Sequence, residues 1–296
     1  MKNLINGKEI AQKYNLHTEE VATLFLNKYG SKPCLHVYRI GNDPASVIYT
    51  GHKLKKGLEC GLHVDIIALP ESISESELIQ RIETDNANES VHGMIVQLPL
   101  PSHLDPSVVI NTIDAKKDVD ALTDVNLGRL LKGPSSIAPC TPKGIVALLK
   151  TIRKDWHGVD AVVVGKSQIV GKPMVLELLH LGCTVTICHK STHNLQDKIA
   201  MADLVVVAIG KSGVIQPEWF KNKAVVIDVG INRDDSGKIK GDVPYASCDQ
   251  VSYITPVPNG VGPMTVAMLL QNTLIAACEQ KDDTDLLAQS NVEQGI

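Results

Sequence analysis

The chain has 296 residues, 44% of them hydrophobic and 21% charged, with a net charge of −4; this is a soluble globular composition, long enough for two domains with cores of their own. An aromatic content of 3% and the absence of a basic excess exclude a nucleic-acid platform, which needs exposed rings or a cationic footprint, and argue against binding to an anionic membrane. Seven scattered cysteines without a Cys-x-x-Cys pair suit buried thiols rather than disulfides or a zinc site, no metal is expected, and with no signal-peptide core in MKNLINGKEI the expected location is cytoplasmic.

In chain order, residues 33–41 (PCLHVYRIG) read as a strand, 45–61 as a helix and 62–70 (LHVDIIALP) as a strand. Residues 74–86 read as a helix, 92–101 (HGMIVQLPLP) as a strand, and 105–114 as a helix opened by Asp105 and Pro106 in capping positions. Strands alternating with helices imply parallel α/β layering. Residues 116–139 lose apolar periodicity and gain Gly and Pro, as a connection between domains does. A helix over 141–152 leads into a βαβ pattern at 159–191, and 203–210 and 224–231 supply further buried strands. A proline- and glycine-rich loop follows at 253–265, then an amphipathic helix over 263–278, and the polar residues from Gln280 on are expected to fray. The expected fold is two α/β domains with an interdomain cleft. Residues 1–139 form the first, completed by a helix over 263–282, and 140–262 form a Rossmann-type parallel-sheet domain for a dinucleotide.

The βαβ pattern is the most informative local signal. Ala161–Val164 is the continuous apolar run of a strand buried on both faces. Gly165 ends it where backbone must turn and approach a phosphate, and Gly171 opens a helix whose first amides face an anion. The acidic residue that selects NAD, expected about 20 residues past the first glycine, is missing. His189, Lys190 and Ser191 stand there, with Lys166 and Ser167 in the loop, and cations and hydroxyls suit the 2′-phosphate of NADP. The spacing G-x5-G departs from G-x-G-x-x-G, so on this segment alone a βαβ unit without a ligand stays open.

Tyr49 and Lys53 are four apart on one helix face. A lysine whose pKa is lowered can act as acid or base, while the same spacing also describes an ordinary surface pair. Gln97 ends the strand before Leu98 and Pro99, at the carboxyl edge where open sheets place ligand groups. Pro99 and Pro258 are candidates for cis peptide bonds. Asp118 and Asp120 flank Val119; either could touch a ligand or cap a turn.

Taken together, GNDPASVIYTGHKLKKGLECG, HGMIVQLPLP, KDVD, GKSQIVGKPM, TVTICH, IDVGIN and TPVPNGVGPMT resemble, in order and across nearly the whole chain, the bifunctional methylenetetrahydrofolate dehydrogenase/cyclohydrolase family. The resemblance implies NADP-dependent oxidation of 5,10-methylenetetrahydrofolate and hydrolysis of the methenyl product to 10-formyltetrahydrofolate, by a homodimer. It implies that Lys53 is the central acid–base group, that Gln97 orients it, that Tyr49 packs on the folate and that Asp120 bonds the pterin. Leu98, Pro99, Pro256 and Gly260 are the further substrate contacts it implies. Gly165, Lys166, Ser167, Ile169, His189, Lys190, Ser191, Gly210 and Ile231 are the implied cofactor contacts. The chain departs from the family pattern with Lys166 for Arg, Lys190 for Ser, Ala121–Leu122 for Gly-Phe, and Asn259 for Gly. A monofunctional NAD-dependent dehydrogenase and a folate- or nucleotide-binding regulator without turnover are the alternatives. The set Tyr49, Lys53, Gln97 and Asp120 disfavours the second, because a binder has no need of the lysine.

Overall fold

The computed structural model describes residues 2–234 and 236–291. In chain order the elements are β1 (Asn3–Leu4), α1 (Gly7–Tyr29), β2 (Cys34–Ile40), α2 (Pro44–Glu59), β3 (His63–Leu69), α3 (Glu75–Ala87) and β4 (Gly93–Val96). There follow α4 (Pro106–Thr112), α5 (Asp124–Lys132), α6 (Cys140–Ile152), β5 (Asp160–Val164), α7 (Gly171–His180), β6 (Thr184–Cys188), α8 (Leu195–Met201) and β7 (Leu204–Val207). The last are β8 (Val225–Asp228), β9 (Asn232–Arg233), β10 (Ile239–Lys240), β11 (Tyr253–Ile254), α9 (Val261–Gln280) and α10 (Thr284–Ser290).

The chain divides into two units, one of Lys13–Cys140 with the residues from Val266, the other of the residues through Gln12 with Thr141–Thr265. The first twelve residues therefore do not stay with the first domain as the sequence boundaries had them. The cause is β1, which joins the second unit's sheet by pairing parallel with β11, Asn3 opposite Tyr253 and Leu4 opposite Ile254.

In the Lys13–Cys140 unit, β2 lies between β3 and β4, all parallel. Tyr38, Ile40, Leu69, Leu78, Ile82, Met94, Val96 and Val109 form one core beside them, and each Leu or Ile buried this way stabilises by about 1.5–3 kcal/mol. Asp105 accepts from the Ser107 amide at 2.8 Å to start α4, as the Asp-Pro signal predicts. Two segments depart from expectation. The stretch read as a connection, 116–139, belongs to this unit. It carries α5, started by Thr123, and buries Val119, Ala121 and Leu130 completely. The segment expected to fray forms α10: Asp283 accepts from the Leu286 amide, from Lys28 Nζ at 2.6 Å and from Tyr29 Oη at 2.8 Å, which ties it to the end of α1. The rest of that segment, 292–296, lies outside the described residues.

In the other unit six parallel strands run in the order β1-β11-β8-β7-β5-β6. β5, β7 and β8 have almost every residue buried, the pattern of strands covered on both faces. β9 and β10 pair antiparallel as a small separate ribbon. By length and composition α9 could cross a membrane, but 78% of its most apolar window is buried in the protein, the environment of a core helix.

Candidate functional site

α2 starts where Asp43 accepts from the Ser46 amide at 2.8 Å, with Pro44 in the first turn. Tyr49 and Lys53 then fall one turn apart, both partly buried. Gln97 leaves β4 with its amide donating to Tyr38 O at 2.8 Å, and its side-chain Nε2 donates to Leu98 O at 2.7 Å. That fixes the orientation of the carboxamide, because the oxygen is left to face Lys53, whose Nζ donates to Gln97 Oε1 at 2.9 Å. A lysine only donates and an amide oxygen only accepts, so the pair has one sensible arrangement. The peptide bond that follows, Leu98–Pro99, is cis, as is Val257–Pro258.

The electrostatics of Lys53 are those of a poised amine. Burial holds its pKa below the ordinary lysine value, and the negative fields of Asp120 and Cys140 oppose that fall without cancelling it. Its hydrogen-bond partner is a neutral amide, so loss of the proton leaves no buried anion behind. This is the combination that makes a lysine usable in proton transfer.

The two aspartates of KDVD separate by role. Asp118 is buried and accepts from the Thr123 amide at 2.8 Å, the Leu122 amide at 3.2 Å and Asn126 Nδ2 at 2.9 Å. Burial pushes its carboxyl up, against those bonds; it is the scaffold of the turn before α5. Asp120 is partly exposed and acts on Lys53 through space. Between them and the helix, Ala121 takes φ 55, the left-handed region where glycine is at ease and a residue with a Cβ is strained. Cys140 is a residue that sequence reasoning passed over. It is buried, its Sγ bonds Val119 O at 3.3 Å, and Asn272 Nδ2 donates to Val119 O and Ala138 O at 2.9 Å each. No spacing signal marks a single cysteine 87 positions from its lysine.

The dinucleotide candidates lie at the carboxyl ends of the six-stranded sheet. Gly165 follows β5 at φ 139, and a Cβ there would meet Ala208 O at 2.2 Å, while one on Gly171 would meet Gly165 O at 2.2 Å. Only glycine fits either position. Ser167 Oγ accepts from the Val170 and Gly171 amides at 3.2 and 3.3 Å, which ties the loop to the start of α7. Gly165 N donates to Cys188 O at 2.9 Å, so the loop lies beside the end of β6. The turn that follows is tied by the His189 amide to Thr192 Oγ1 at 2.8 Å and by the Ser191 amide to His189 Nδ1 at 3.2 Å. It leaves Lys190 and Ser191 exposed next to the loop that carries Lys166. Ile169 and Ile231 stay 44% and 48% exposed, large apolar side chains available to a ligand. Gly210 follows β7 at φ 71. Pro256 and Gly260 follow β11, where Asn259 takes φ 78, a conformation asparagine tolerates well; Asn259 O accepts from the Lys8 amide at 3.1 Å. Glycine cradle, helix start, paired lysines and serine together fit a dinucleotide with a 2′-phosphate.

Comparison with known proteins agrees with both halves. Residues 5–120 match the tetrahydrofolate dehydrogenase/cyclohydrolase catalytic domain, and 139–281 match the NAD(P)-binding domain of the same name. The bifunctional protein FolD of Wolbachia pipientis subsp. Culex pipiens (strain wPip) is 46% identical over 295 residues, spanning 97% of this chain and 100% of that protein. The bifunctional FolD methylenetetrahydrofolate dehydrogenase/cyclohydrolase of Campylobacter jejuni is similar in structure, with a TM-score of 0.92 and 43% identity over 94% of this chain and 99% of the other. The corresponding Trypanosoma brucei enzyme, solved with NADP and an inhibitor, gives a TM-score of 0.90 and 33% identity over 95% of this chain and 98% of the other.

Proposed function

This chain belongs to the tetrahydrofolate dehydrogenase/cyclohydrolase family, and from that premise we propose how its residues divide the family's two reactions. The enzyme oxidises 5,10-methylenetetrahydrofolate to 5,10-methenyltetrahydrofolate with NADP and then hydrolyses the methenyl compound to 10-formyltetrahydrofolate. NADP supplies the hydride acceptor; Gly165, Ser167 and the start of α7 hold its phosphates, and Lys166, Lys190 and Ser191 its 2′-phosphate. The residues of this chain need no strong base for the oxidation, because the folate nitrogen beside the methylene carbon delocalises the cation left when hydride departs.

Hydrolysis is where Lys53 works. Water attacks the cationic methenyl carbon, and the neutral amine of Lys53 takes the proton that the water loses. The ammonium so formed returns that proton to the ring nitrogen as its bond to the carbon breaks, the carbinol hydroxyl releases its remaining proton to solvent as the formyl C=O forms, and the amine is regenerated. Gln97 fixes the amine in place, Asp120 bonds the pterin and Tyr49 packs on it; Leu98 and Pro99 line the folate. The cationic substrate lowers the lysine pKa further in the direction burial already drives it. The observation that carries this reading is the 2.9 Å bond from Lys53 Nζ to Gln97 Oε1, a buried amine held by a neutral partner.

The test is turnover of methylenetetrahydrofolate with NADP and, separately, with NAD. The expected result is faster reduction of NADP, with no build-up of methenyl absorbance. A stable methenyl product would contradict efficient hydrolysis, and preference for NAD would contradict the lysine assignment at the loop. We further read the protein as a cytoplasmic homodimer. Seven buried cysteines without a disulfide support the compartment, and membership of the family supports the dimer, which sedimentation of the full chain checks.

A further inference from the structure

Two aspartates outside the glycine loop form a linked buried pair at the carboxyl ends of β7 and β8. Asp228 and Asp242 are both 1% exposed. Asp228 Oδ1 accepts from the amides of Gly230 and Asp242 at 3.0 Å each, and its Oδ2 from the Val243 amide at 2.9 Å. Asp242 Oδ2 accepts from the amides of Ile209 and Gly210 at 2.7 and 2.9 Å, and its Oδ1 from Asn232 Nδ2 at 2.8 Å. Among the described residues neither carboxylate is in an ion pair. Each is satisfied by N–H donors alone; burial, with the neighbouring Asp242, pushes the Asp228 carboxyl up to about 7 against those bonds.

The pair is a relay of positions. Asp228 places the backbone of Asp242, and the Asp242 side chain places two further segments, Ile209–Gly210 after β7 and Asn232 after β8. The packing leaves it little slack: a Cβ on Gly230 would lie 2.1 Å from Asp242 Cγ, and one on Gly241 1.9 Å from Asp228 Oδ2.

The location gives the relay its purpose. The chain leaves β5 outward to β6 and resumes on the opposite side with β7, so the strand order reverses between β5 and β7. Open parallel sheets bind ligands outside the carboxyl ends at such a point. Gly165 follows β5 there, and Ala208 O, one residue before Ile209, closes against it; the Ala208 amide donates to Val164 O at 2.8 Å. A carboxylate that pins Ile209 and Gly210 therefore also fixes the wall of the glycine loop, while Asn232 adjoins exposed Ile231.

We propose that Asp242, itself set by Asp228, is a positioning residue for the bound dinucleotide: it holds the segments after β7 and β8 in the arrangement that receives the cofactor. The inference rests on the assignment of NADP to this sheet edge. Asp242 acts through backbone and Asn232, and it takes no part in hydrolysis.

The test is Asp242→Asn, which keeps shape and removes the charge and part of the accepting capacity. The apparent KM for NADP is expected to rise about tenfold or more, with methenyltetrahydrofolate hydrolysis, assayed without cofactor, unchanged. A merely structural role would lower both activities together through loss of folded protein. A KM for NADP within about twofold of wild type overturns the proposal. Should Asp242→Asn fail to fold, Asn232→Leu removes one donor from the same carboxylate at a partly exposed position. A severalfold rise in KM with hydrolysis intact then supports the proposal, and an unchanged KM overturns it. Wild-type turnover with NADP separately tests the cofactor assignment, and NADP affinity measured by calorimetry reads the Asp242 effect even without turnover.

Discussion

In the unit that carries Lys53, the working groups are side chains met by side chains: an amine on a carboxamide at 2.9 Å, with Asp120 and Cys140 acting through space. In the dinucleotide unit the working surface is backbone, made of a glycine turn at φ 139, the amides that start α7, and loop ends tied to buried carboxylates. The contrast follows from what each must do. Proton transfer needs one group whose pKa its surroundings can move, whereas phosphate binding needs amide dipoles and a backbone close enough to use them. A change of charge at Lys53 or its partners should therefore damage the first unit's chemistry, and a change in backbone freedom, or in the carboxylates that hold the backbone, the second's.

The largest expected effect that sharpens this contrast is at Lys53. Lys53→Met cannot exchange protons, and hydrolysis of methenyltetrahydrofolate should fall by about 10²–10⁴-fold, further than NADP reduction falls. Stopped-flow loss of methenyl absorbance reads it, and a rate near wild type removes Lys53 from the mechanism. Next is Gln97→Glu, which sets an anion where the neutral amide now faces the amine. The anion favours the ammonium form, so the lysine pKa rises; the neutral base becomes scarcer at a given pH, and the limb on which hydrolysis increases with pH moves to higher pH. A limb unmoved by the charge would mean that another group titrates. The smallest is Ala121→Gly. Relief at φ 55, about 1–2 kcal/mol, is offset by about 0.4–1 kcal/mol of chain entropy and about 0.8 kcal/mol for the buried methyl. Denaturant unfolding should show a change within about 1 kcal/mol; a loss well beyond that would mean that the turn carries no strain.

The same contrast explains what could be read from the chain. The glycine loop is a local signal: strand, turn and helix are consecutive, and Ala161–Val164 and Gly165 stand where the apolar run and its break place them. Lys53, Gln97 and Asp120 are far apart in sequence, and spacing alone left each with an ordinary alternative; the order of seven motifs singled them out. The separation of Asp118 from Asp120 needed coordinates, since burial and three accepted hydrogen bonds decide it. Cys140, Asp228 and Asp242 carried no signal because their partners are backbone groups, a lysine or, for Asp242, the Asn232 amide, which no spacing rule connects. The missed helices are more instructive. α1 was legible, with Tyr14, Thr18, Val21, Ala22 and Phe25 buried at helical spacing. α5 is short and capped by Thr123 amid Gly and Pro, which hid it, and α10 is held by Lys28 and Tyr29 of a distant helix, a tertiary cause invisible in a polar tail.

The central claim, that hydrolysis belongs to Lys53 and its neighbours while the glycine loop serves only the hydride acceptor, is tested most directly by Gly165→Ala. A methyl there would press on the Ala208 carbonyl from a backbone at φ 139, closing the cradle. Measured without cofactor, methenyltetrahydrofolate hydrolysis by this variant should stay at the wild-type rate while its NADP-dependent oxidation falls roughly tenfold or more. Loss of hydrolysis in a variant that keeps its wild-type circular dichroism and melting temperature would contradict the division.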